Sequence, residues 1–104
     1  MATLTLDIGC TTCGIAVTDD SGVRNLHTWQ TGEPTHTLDA TVAYLAERQA
    51  AGAVIDRVGV CFGGPVDHRT GTVQRSVHAD GWAGFNFAQW GNAVLGLPLA
   101  VDND

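Results

Sequence analysis

The stretch DIGCTTCGIAV, residues 7–17, combines residue types that could bind a phosphate group or a metal ion. Glycine lets the backbone approach an anion closely, and successive N–H groups in a turn can form an anion-binding nest. Thr11 and Thr12 add hydroxyl donors, and Asp7 could hold a magnesium ion through water. An ordinary hairpin turn uses the same residue types, so this motif alone leaves both interpretations open.

The same stretch contains a CxxC motif, formed by Cys10 and Cys13, which could also indicate a redox or zinc site. A redox CxxC usually opens a helix, whereas this one would connect two strands. Zinc needs further ligands, and the sequence has neither a second CxxC nor a paired HxxxH. We therefore predict that Cys10, Cys13 and Cys61 act as small packing residues.

Two further segments contain glycines or polar side chains that could contribute to a ligand-binding site. In FGGPVD, residues 62–67, the two glycines could admit a ligand beside the main chain, or they could mark a plain turn. In VDND, residues 101–104, a carboxylate could accept the proton of a substrate hydroxyl as that hydroxyl attacks. Acidic residues at the end of a strand are also common in ordinary loops, so this alternative stays open.

The hydrophobic pattern predicts an α/β fold in which three antiparallel strands precede two helix–strand units. The predicted strands are residues 3–8, 14–19, 23–29, 54–62 and 97–102, and the predicted helices are residues 36–52 and 86–96. The first helix is expected to bury Leu38, Val42, Leu45 and Ala46, and the second to place Phe87, Trp90 and Val94 on one side. A small hairpin is expected around residues 70–71, and the last strand reads as covered on both faces.

The order of these elements predicts the arrangement of the sheet. Right-handed crossovers place the fourth and fifth strands beside the first and parallel to it, which gives the strand order 3-2-1-4-5. Open α/β sheets bind ligands at the carboxyl ends of their parallel strands. We therefore expect residues 7–9, 63–64 and 102–104 to meet at one edge of the sheet.

The overall composition limits the kinds of partner. The chain has a formal net charge of −6, and its positive residues are five arginines and no lysine. Binding to nucleic acid is not expected, because no basic stripe is present to neutralise a phosphate backbone. The start of the chain lacks a signal-like segment, and no apolar run is long enough to span a membrane, so a reduced cytoplasmic location is expected. The ending LAVDND, directly after an apolar run, suggests an interrupted fold.

Four segments together resemble the ROK family, which groups bacterial sugar kinases with sugar-responsive repressors. These segments are LTLDIGCTTCGIAVTD, VGVCFGGPVD, GTVQRSVHADGW and LGLPLAVDND, and they occur in the family's order. The resemblance covers nearly the whole chain and implies an actin-like, ribonuclease-H-like ATPase fold. That fold agrees with the sheet order 3-2-1-4-5.

The resemblance implies a nucleotide-phosphate site at the first turn. Asp7 resembles the magnesium-associated aspartate of the family. Gly9, Cys10, Thr11 and Thr12 fall in its phosphate-binding turn. The family usually has a second glycine where this chain has Cys10, and a basic or amide residue is common where it has Thr12.

The resemblance also implies residues for sugar binding and catalysis. Gly64 matches a glycine that lines the sugar pocket, and Asn103 resembles a residue that hydrogen-bonds sugar hydroxyls. Asp104 matches the base that activates the hydroxyl for attack on the γ-phosphate of ATP. His78 falls in a loop that often approaches the sugar in the family.

We therefore interpret residues 1–104 as the N-terminal lobe of a ROK sugar kinase that uses ATP and Mg²⁺. The second lobe is absent, and with it the adenosine pocket, further sugar ligands and the family's zinc site. We expect this chain to be inactive alone, because transfer requires both substrates to be held together. Self-association through the incomplete interface is also expected. The alternative is the non-catalytic sugar-sensing domain of a ROK repressor.

Overall fold

The computed structural model describes residues 1–74 and 81–103 and contains a five-stranded mixed sheet with helices. In chain order the elements are β1 (Ala2–Ile8), β2 (Thr12–Asp19), β3 (Gly22–Gln30), α1 (Pro34–Ala50), β4 (Ile55–Phe62), β5 (Val66–Asp67), β6 (Thr72–Val73), α2 (Phe87–Trp90), a π-helical turn (Gly91–Leu95) and β7 (Leu99–Asn103). The sheet order β3-β2-β1-β4-β7 confirms the predicted order 3-2-1-4-5, because β7 is the last strand predicted from the sequence. None of the helices in the described ranges has the length and apolar character needed to cross a bilayer.

Strand β1 lies at the centre of the sheet and alternates between a buried and an exposed face. Leu4, Leu6 and Ile8 are 0%, 1% and 3% exposed. Thr5 and Asp7, which lie between them, are exposed. β1 pairs antiparallel with β2 and parallel with β4, and β4 pairs parallel with β7. We call the side of the sheet that carries Thr5 and Asp7 the exposed face.

Helix α1 packs through a stripe of threonine and apolar side chains. Its buried residues are Thr37, Thr41, Tyr44 and Leu45. The predicted stripe is wrong at Val42, which is 39% exposed, and at Ala46, which is also exposed. The Thr41 hydroxyl donates to the Thr37 carbonyl oxygen at 2.8 Å, so its burial leaves this donor satisfied. The buried face of α1 was predicted from apolar residues alone, so buried threonines were not counted and the predicted face was wrong in part.

An aromatic cluster joins the end of β4 to α2. It consists of Phe62, Trp82, Phe85, Phe87 and Trp90. Phe62 and Phe87 are 0% exposed, and Trp82 stacks on Phe87 with ring centroids 5.2 Å apart. Each such ring contact stabilises by about 0.5–1.5 kcal/mol beyond the area that it buries. The aromatic cluster therefore fixes the chain directly before Gly63.

A short hairpin follows β4, as expected around Gly71. β5 and β6 pair Val66 with Val73, and the Gly71 N–H donates to the Asp67 carbonyl oxygen at 2.8 Å. The side chain of Arg69, and then its backbone N–H, hydrogen-bond the Asp67 carboxylate and hold the pKa of Asp67 below its ordinary value. The hairpin is thus tied within itself.

The second predicted helix differs from the structure on one side. Residues 87–95 form α2 followed by a π-helical turn, which Gly96 ends in the left-handed region with φ 69°. Phe87 is buried as predicted, but Val94 is 54% exposed, so the prediction for Val94 was wrong. A π turn is wider than an α turn, and it changes the direction in which the following side chains point.

Strand β7 is covered on one side only within the described part of the chain. Val101 is 4% exposed, whereas Ala100 and Asp102 are exposed. The prediction that both faces of this strand are covered was therefore wrong. An apolar run does not distinguish a strand covered on two sides from one covered on one side when its outward residues are small.

The π-helical turn contacts β7 so closely that only glycine fits at position 91. A Cβ added to Gly91 would lie 2.6 Å from Leu99 Cβ. We expect Gly91→Ala to destabilise the chain by about 1–3 kcal/mol, because the helix and β7 must separate. Chemical denaturation measures this change. Gly32→Ala is the control, since nothing lies within 4 Å of its added Cβ; equal stability of the two variants would contradict the close contact.

Candidate functional site

Three parallel strands end at one edge of the sheet, and their last residues are in register. Cys61 of β4 pairs with Asp7 of β1 on one side and with Asp102 of β7 on the other. All three residues are exposed. Neighbouring strands are about 4.8 Å apart, so the backbones at Asp7 and Asp102 are separated by roughly 10 Å. We call this edge the carboxyl edge.

The next row of the sheet places Asn103 at the same edge, and Gly64 follows two residues after Phe62 of this row. Phe62 pairs with Ile8 on one side and with Asn103 on the other. The Gly63 N–H donates to the Ile8 carbonyl oxygen at 2.8 Å and so extends the β1–β4 pairing by one residue. Gly64 is half-buried directly after this contact, and Asn103 is exposed.

The turn between β1 and β2 requires glycine at its first position. A Cβ added to Gly9 would lie 2.7 Å from the Thr12 carbonyl oxygen, and the Gly9 N–H donates to that oxygen at 3.1 Å. Cys10, Thr11 and Thr12 are exposed. The turn therefore presents two hydroxyls and a thiol to solvent beside the carboxylate of Asp7, a donor set that suits a phosphate with its cation.

The three cysteines differ in their surroundings. Cys13 is 1% exposed, as predicted for a packing residue. Cys10 and Cys61 are exposed, so the prediction was wrong for them. Cys10 lies in the tip of the turn, and Cys61 lies on the exposed face because it pairs with Asp7. Among the described residues, no group of three His, Cys, Asp or Glu side chains is placed to hold a metal ion.

Among residues 1–74 and 81–103, the carboxyl edge carries two carboxylates. Asp7 and Asp102 both belong to its last exposed row. Arg24 and Arg57 lie toward the opposite edge, where their strand partners are Val17 and Thr3. The negative charges of Asp7 and Asp102 would repel a phosphate that binds between them without a cation. A cation bound at this edge would therefore favour phosphate binding there.

Two predicted site residues, His78 and Asp104, lie outside the described residues. The structure brings together the other predicted residues, which are Asp7, Gly9, Cys10, Thr11, Thr12, Gly64 and Asn103. Sequence reasoning placed Asp102 at this edge without giving it a specific role, and it did not consider Thr31. Alternation along β7 could have indicated that Asp102 shares a face with Asp7. The hairpin register could have indicated that Thr31 lies opposite Thr11, and its N–H donates to the Thr11 carbonyl oxygen at 2.9 Å.

Comparison with known families gives a match over nearly the full length. The sequence profile of the ROK family matches residues 3–104. The chain belongs to the ROK family. Its fold is that of the actin-like ATPase lobe found in ROK proteins.

Solved structures of ROK proteins share this fold. The ROK family glucokinase from Streptomyces griseus, in complex with glucose and AMPPNP, is 26% identical with a TM-score of 0.83, over 99% of this chain and 33% of that chain. The ROK hexokinase from Thermus thermophilus is 24% identical with a TM-score of 0.80, over 99% of this chain and 35% of that chain. A ROK family transcriptional regulator, a homolog of the E. coli MLC protein, is 18% identical with a TM-score of 0.81, over 99% of this chain and 28% of that chain.

The structural relatives therefore include both ROK sugar kinases and a ROK regulator. This ROK chain spans about a third of the length of the solved structures that it matches. A search of curated proteins gives no match.

The geometry of the turn predicts the effect of a single methyl group at Gly9. We expect Gly9→Ala to lower the free energy of unfolding by about 1–3 kcal/mol, because the added Cβ overlaps the Thr12 carbonyl oxygen. Gly14→Ala, five residues further along the same hairpin, is the matched control. Its added Cβ meets Thr28 Cγ2 at 3.7 Å, an ordinary contact. A Gly9→Ala chain as stable as the parent in urea unfolding would show that the turn does not need glycine.

Proposed function

We propose that residues 1–104 form the N-terminal lobe of a ROK sugar kinase that transfers a phosphoryl group from MgATP to a hexose hydroxyl. The observation that carries this proposal is the meeting of three strand ends at the carboxyl edge, with a glycine turn on one side and Asn103 on the other. Membership of the ROK family and the fold shared with a glucokinase solved with glucose and AMPPNP support it. Phosphoryl transfer depends mainly on such positioning and on neutralising charge.

The nucleotide phosphates are proposed to lie against the Gly9–Thr12 turn. The absence of a Cβ at Gly9 lets the chain turn tightly, and the exposed Thr11 and Thr12 hydroxyls can donate to phosphate oxygens. Asp7 is proposed to hold Mg²⁺ through water. Mg²⁺, when bound, supplies the positive charge that offsets phosphate and carboxylate repulsion. The exposed position of Cys10 gives its side chain a direction away from the protein interior.

The sugar is proposed to lie at the other half of the carboxyl edge. Gly64 carries no side chain and is proposed to admit the sugar beside the main chain, and the Asn103 amide can both donate to and accept from sugar hydroxyls. Asp104 follows Asn103 directly in the sequence, and we assign it the role of the base that takes the hydroxyl proton. His78 is retained as a further sugar contact. Phosphoryl transfer is assigned to the longer protein, and the isolated lobe is expected to be inactive.

A second candidate is a sugar-sensing domain without kinase activity. The observation that favours it is the TM-score of 0.81 to a ROK family transcriptional regulator, which is close to that of the kinases. A sensor of this kind would use the Gly64 and Asn103 half of the carboxyl edge for sugar and would not need the Gly9–Thr12 turn for nucleotide. The two candidates therefore differ in which half of the edge responds to which ligand.

The experiment is a titration of the ¹⁵N-labelled chain with MgADP and, separately, with a panel of hexoses. The kinase proposal predicts that MgADP shifts the amide signals of Cys10, Thr11 and Thr12. Asp7→Asn is expected to weaken MgADP binding by about tenfold, because a carboxylate no longer holds the cation. Removal of Mg²⁺ with EDTA should weaken binding to the parent chain much more than binding to Asp7→Asn.

The control is Asp39→Asn, which removes the same charge from an exposed position on α1. This variant should bind MgADP as the parent does. A parent chain that responds to a hexose at Gly64 and Asn103 but not to MgADP would favour the sensor. A folded parent chain that responds to neither ligand would contradict both candidates.

A further inference from the structure

Thr31 ties the end of β3 to the Gly9–Thr12 turn by two hydrogen bonds. Its backbone N–H donates to the Thr11 carbonyl oxygen at 2.9 Å. Its hydroxyl donates to the Gly9 carbonyl oxygen, also at 2.9 Å, across 22 residues of sequence. Thr31 is half-buried, so both hydrogen bonds are partly shielded from water. No motif in the sequence pointed to this residue.

These hydrogen bonds orient the peptide units of the turn. In a trans peptide the C=O and N–H groups point in opposite directions. Holding the Gly9 carbonyl toward Thr31 therefore turns the Cys10 N–H away from Thr31. Within residues 1–74 and 81–103, no backbone carbonyl accepts a hydrogen bond from the Cys10 N–H. The turn thus directs the Gly9 carbonyl toward Thr31 and points the Cys10 N–H the opposite way, which is the orientation that anion binding at the turn requires.

Thr31 is itself the last member of a chain of hydrogen bonds that begins on β3 and passes through α1. The steps are Trp29 Nε1 to Thr37 Oγ1 at 3.4 Å, Thr37 Oγ1 to Cys13 Sγ at 3.8 Å, Cys13 Sγ to Thr31 Oγ1 at 3.2 Å, and Thr31 Oγ1 to Gly9 O at 2.9 Å. Cys13 and Thr37 are each 1% exposed. We call this set the relay.

The hydrogen bonds of the relay can run from donor to acceptor in one order only. The Trp29 indole N–H can only donate, and the Gly9 carbonyl can only accept. The Thr31 hydroxyl has one hydrogen and donates it in the hydrogen bond to the Gly9 carbonyl, so in its contact with Cys13 the thiol is the donor. The thiol hydrogen is then in use, so Thr37 is the donor in its contact with Cys13. Hydrogen bonds that run in one direction polarise one another. The relay therefore ends on the carbonyl of the same peptide unit that carries the Cys10 N–H, and it makes that N–H a stronger donor.

We propose that Thr31 is a positioning residue for phosphate binding. Thr31 acts through the relay, because its hydrogen bonds orient and polarise the Gly9–Cys10 peptide unit. The proposal rests on the phosphate site proposed above and extends it to a residue outside the turn. It also gives Cys13 of the CxxC motif a function as a hydrogen-bond donor to Thr31, in place of a redox or zinc role.

The test compares Thr31→Val with Thr31→Ser in the ¹⁵N-labelled chain. Valine keeps the shape and the backbone N–H but cannot donate to Gly9, whereas serine restores the hydroxyl. We expect Thr31→Val to weaken MgADP binding by about three- to tenfold and to move the Cys10 amide proton signal upfield in the free chain. Thr31→Ser should bind within about twofold of the parent and keep the Cys10 signal near its original position.

Thr41→Val is the matched control, because it removes a buried hydroxyl that donates to the Thr37 carbonyl but takes no part in the relay. It should lose thermal stability and leave both MgADP binding and the Cys10 amide signal unchanged. Cys13→Ala and Cys13→Ser form a second pair, in which only serine retains a donor for Thr31. If Thr31→Val does not fold, this second pair decides the question by the same two readouts.

The outcomes separate the positioning role from the site itself. A folded parent chain that does not bind MgADP refutes the phosphate site and, with it, this proposal. A parent chain that binds, together with a folded Thr31→Val that binds equally well or leaves the Cys10 signal in place, refutes only the positioning role. Equal weakening by Thr41→Val would show a general effect of stability and would also refute it.

Discussion

The parallel register of β1, β4 and β7 is the constraint on which the rest of this structure depends. Leu6 and Ile8 of β1 are buried, as are Val60 and Phe62 of β4, so neither strand can slip by one residue without exposing its apolar side chains. That register brings the polar ends of the strands to one edge. The site is thus a consequence of burial on the opposite face, and its own polar groups need not hold the strands together.

The aromatic cluster and the close contact at Gly91 extend this constraint along the chain. Phe62, the last residue of β4, packs against Trp82 and Phe87, and this packing fixes the position at which the chain leaves β4 at Gly63. The contact between Gly91 and Leu99 then sets the position of β7. Packing on the buried side of the sheet therefore determines where Asn103 lies.

The turn at the start of the chain is held in a different way, by directed hydrogen bonds. Gly9 and Thr11 both direct their carbonyls to Thr31, and Gly9 closes the turn by donating to Thr12. The packed strands determine where the turn lies, and the relay determines which of its polar groups face a ligand. Phosphate binding at this turn would need both.

The sequence was sufficient to predict the sheet order and the strand ends, because alternation in β1 and the helical spacing of α1 are strong signals. It failed where a polar residue was buried with a partner or an apolar residue was left outside. Thr37 and Thr41 are buried with their hydroxyls hydrogen-bonded, and Val94 lies exposed within the π-helical turn. Thr31 could not be identified, because its role depends on a contact across the hairpin and not on any local pattern.

The account requires that a cation held at Asp7 lie close to both halves of the carboxyl edge. Titration with ADP carrying paramagnetic Mn²⁺ in place of Mg²⁺ tests this directly, because Mn²⁺ broadens the amide signals of nearby residues. The account predicts joint broadening at Cys10, Gly64 and Asn103, with sharp signals retained at Asp20 and Gly52 on the opposite edge. Broadening confined to the opposite edge, or spread evenly over the chain, would contradict it.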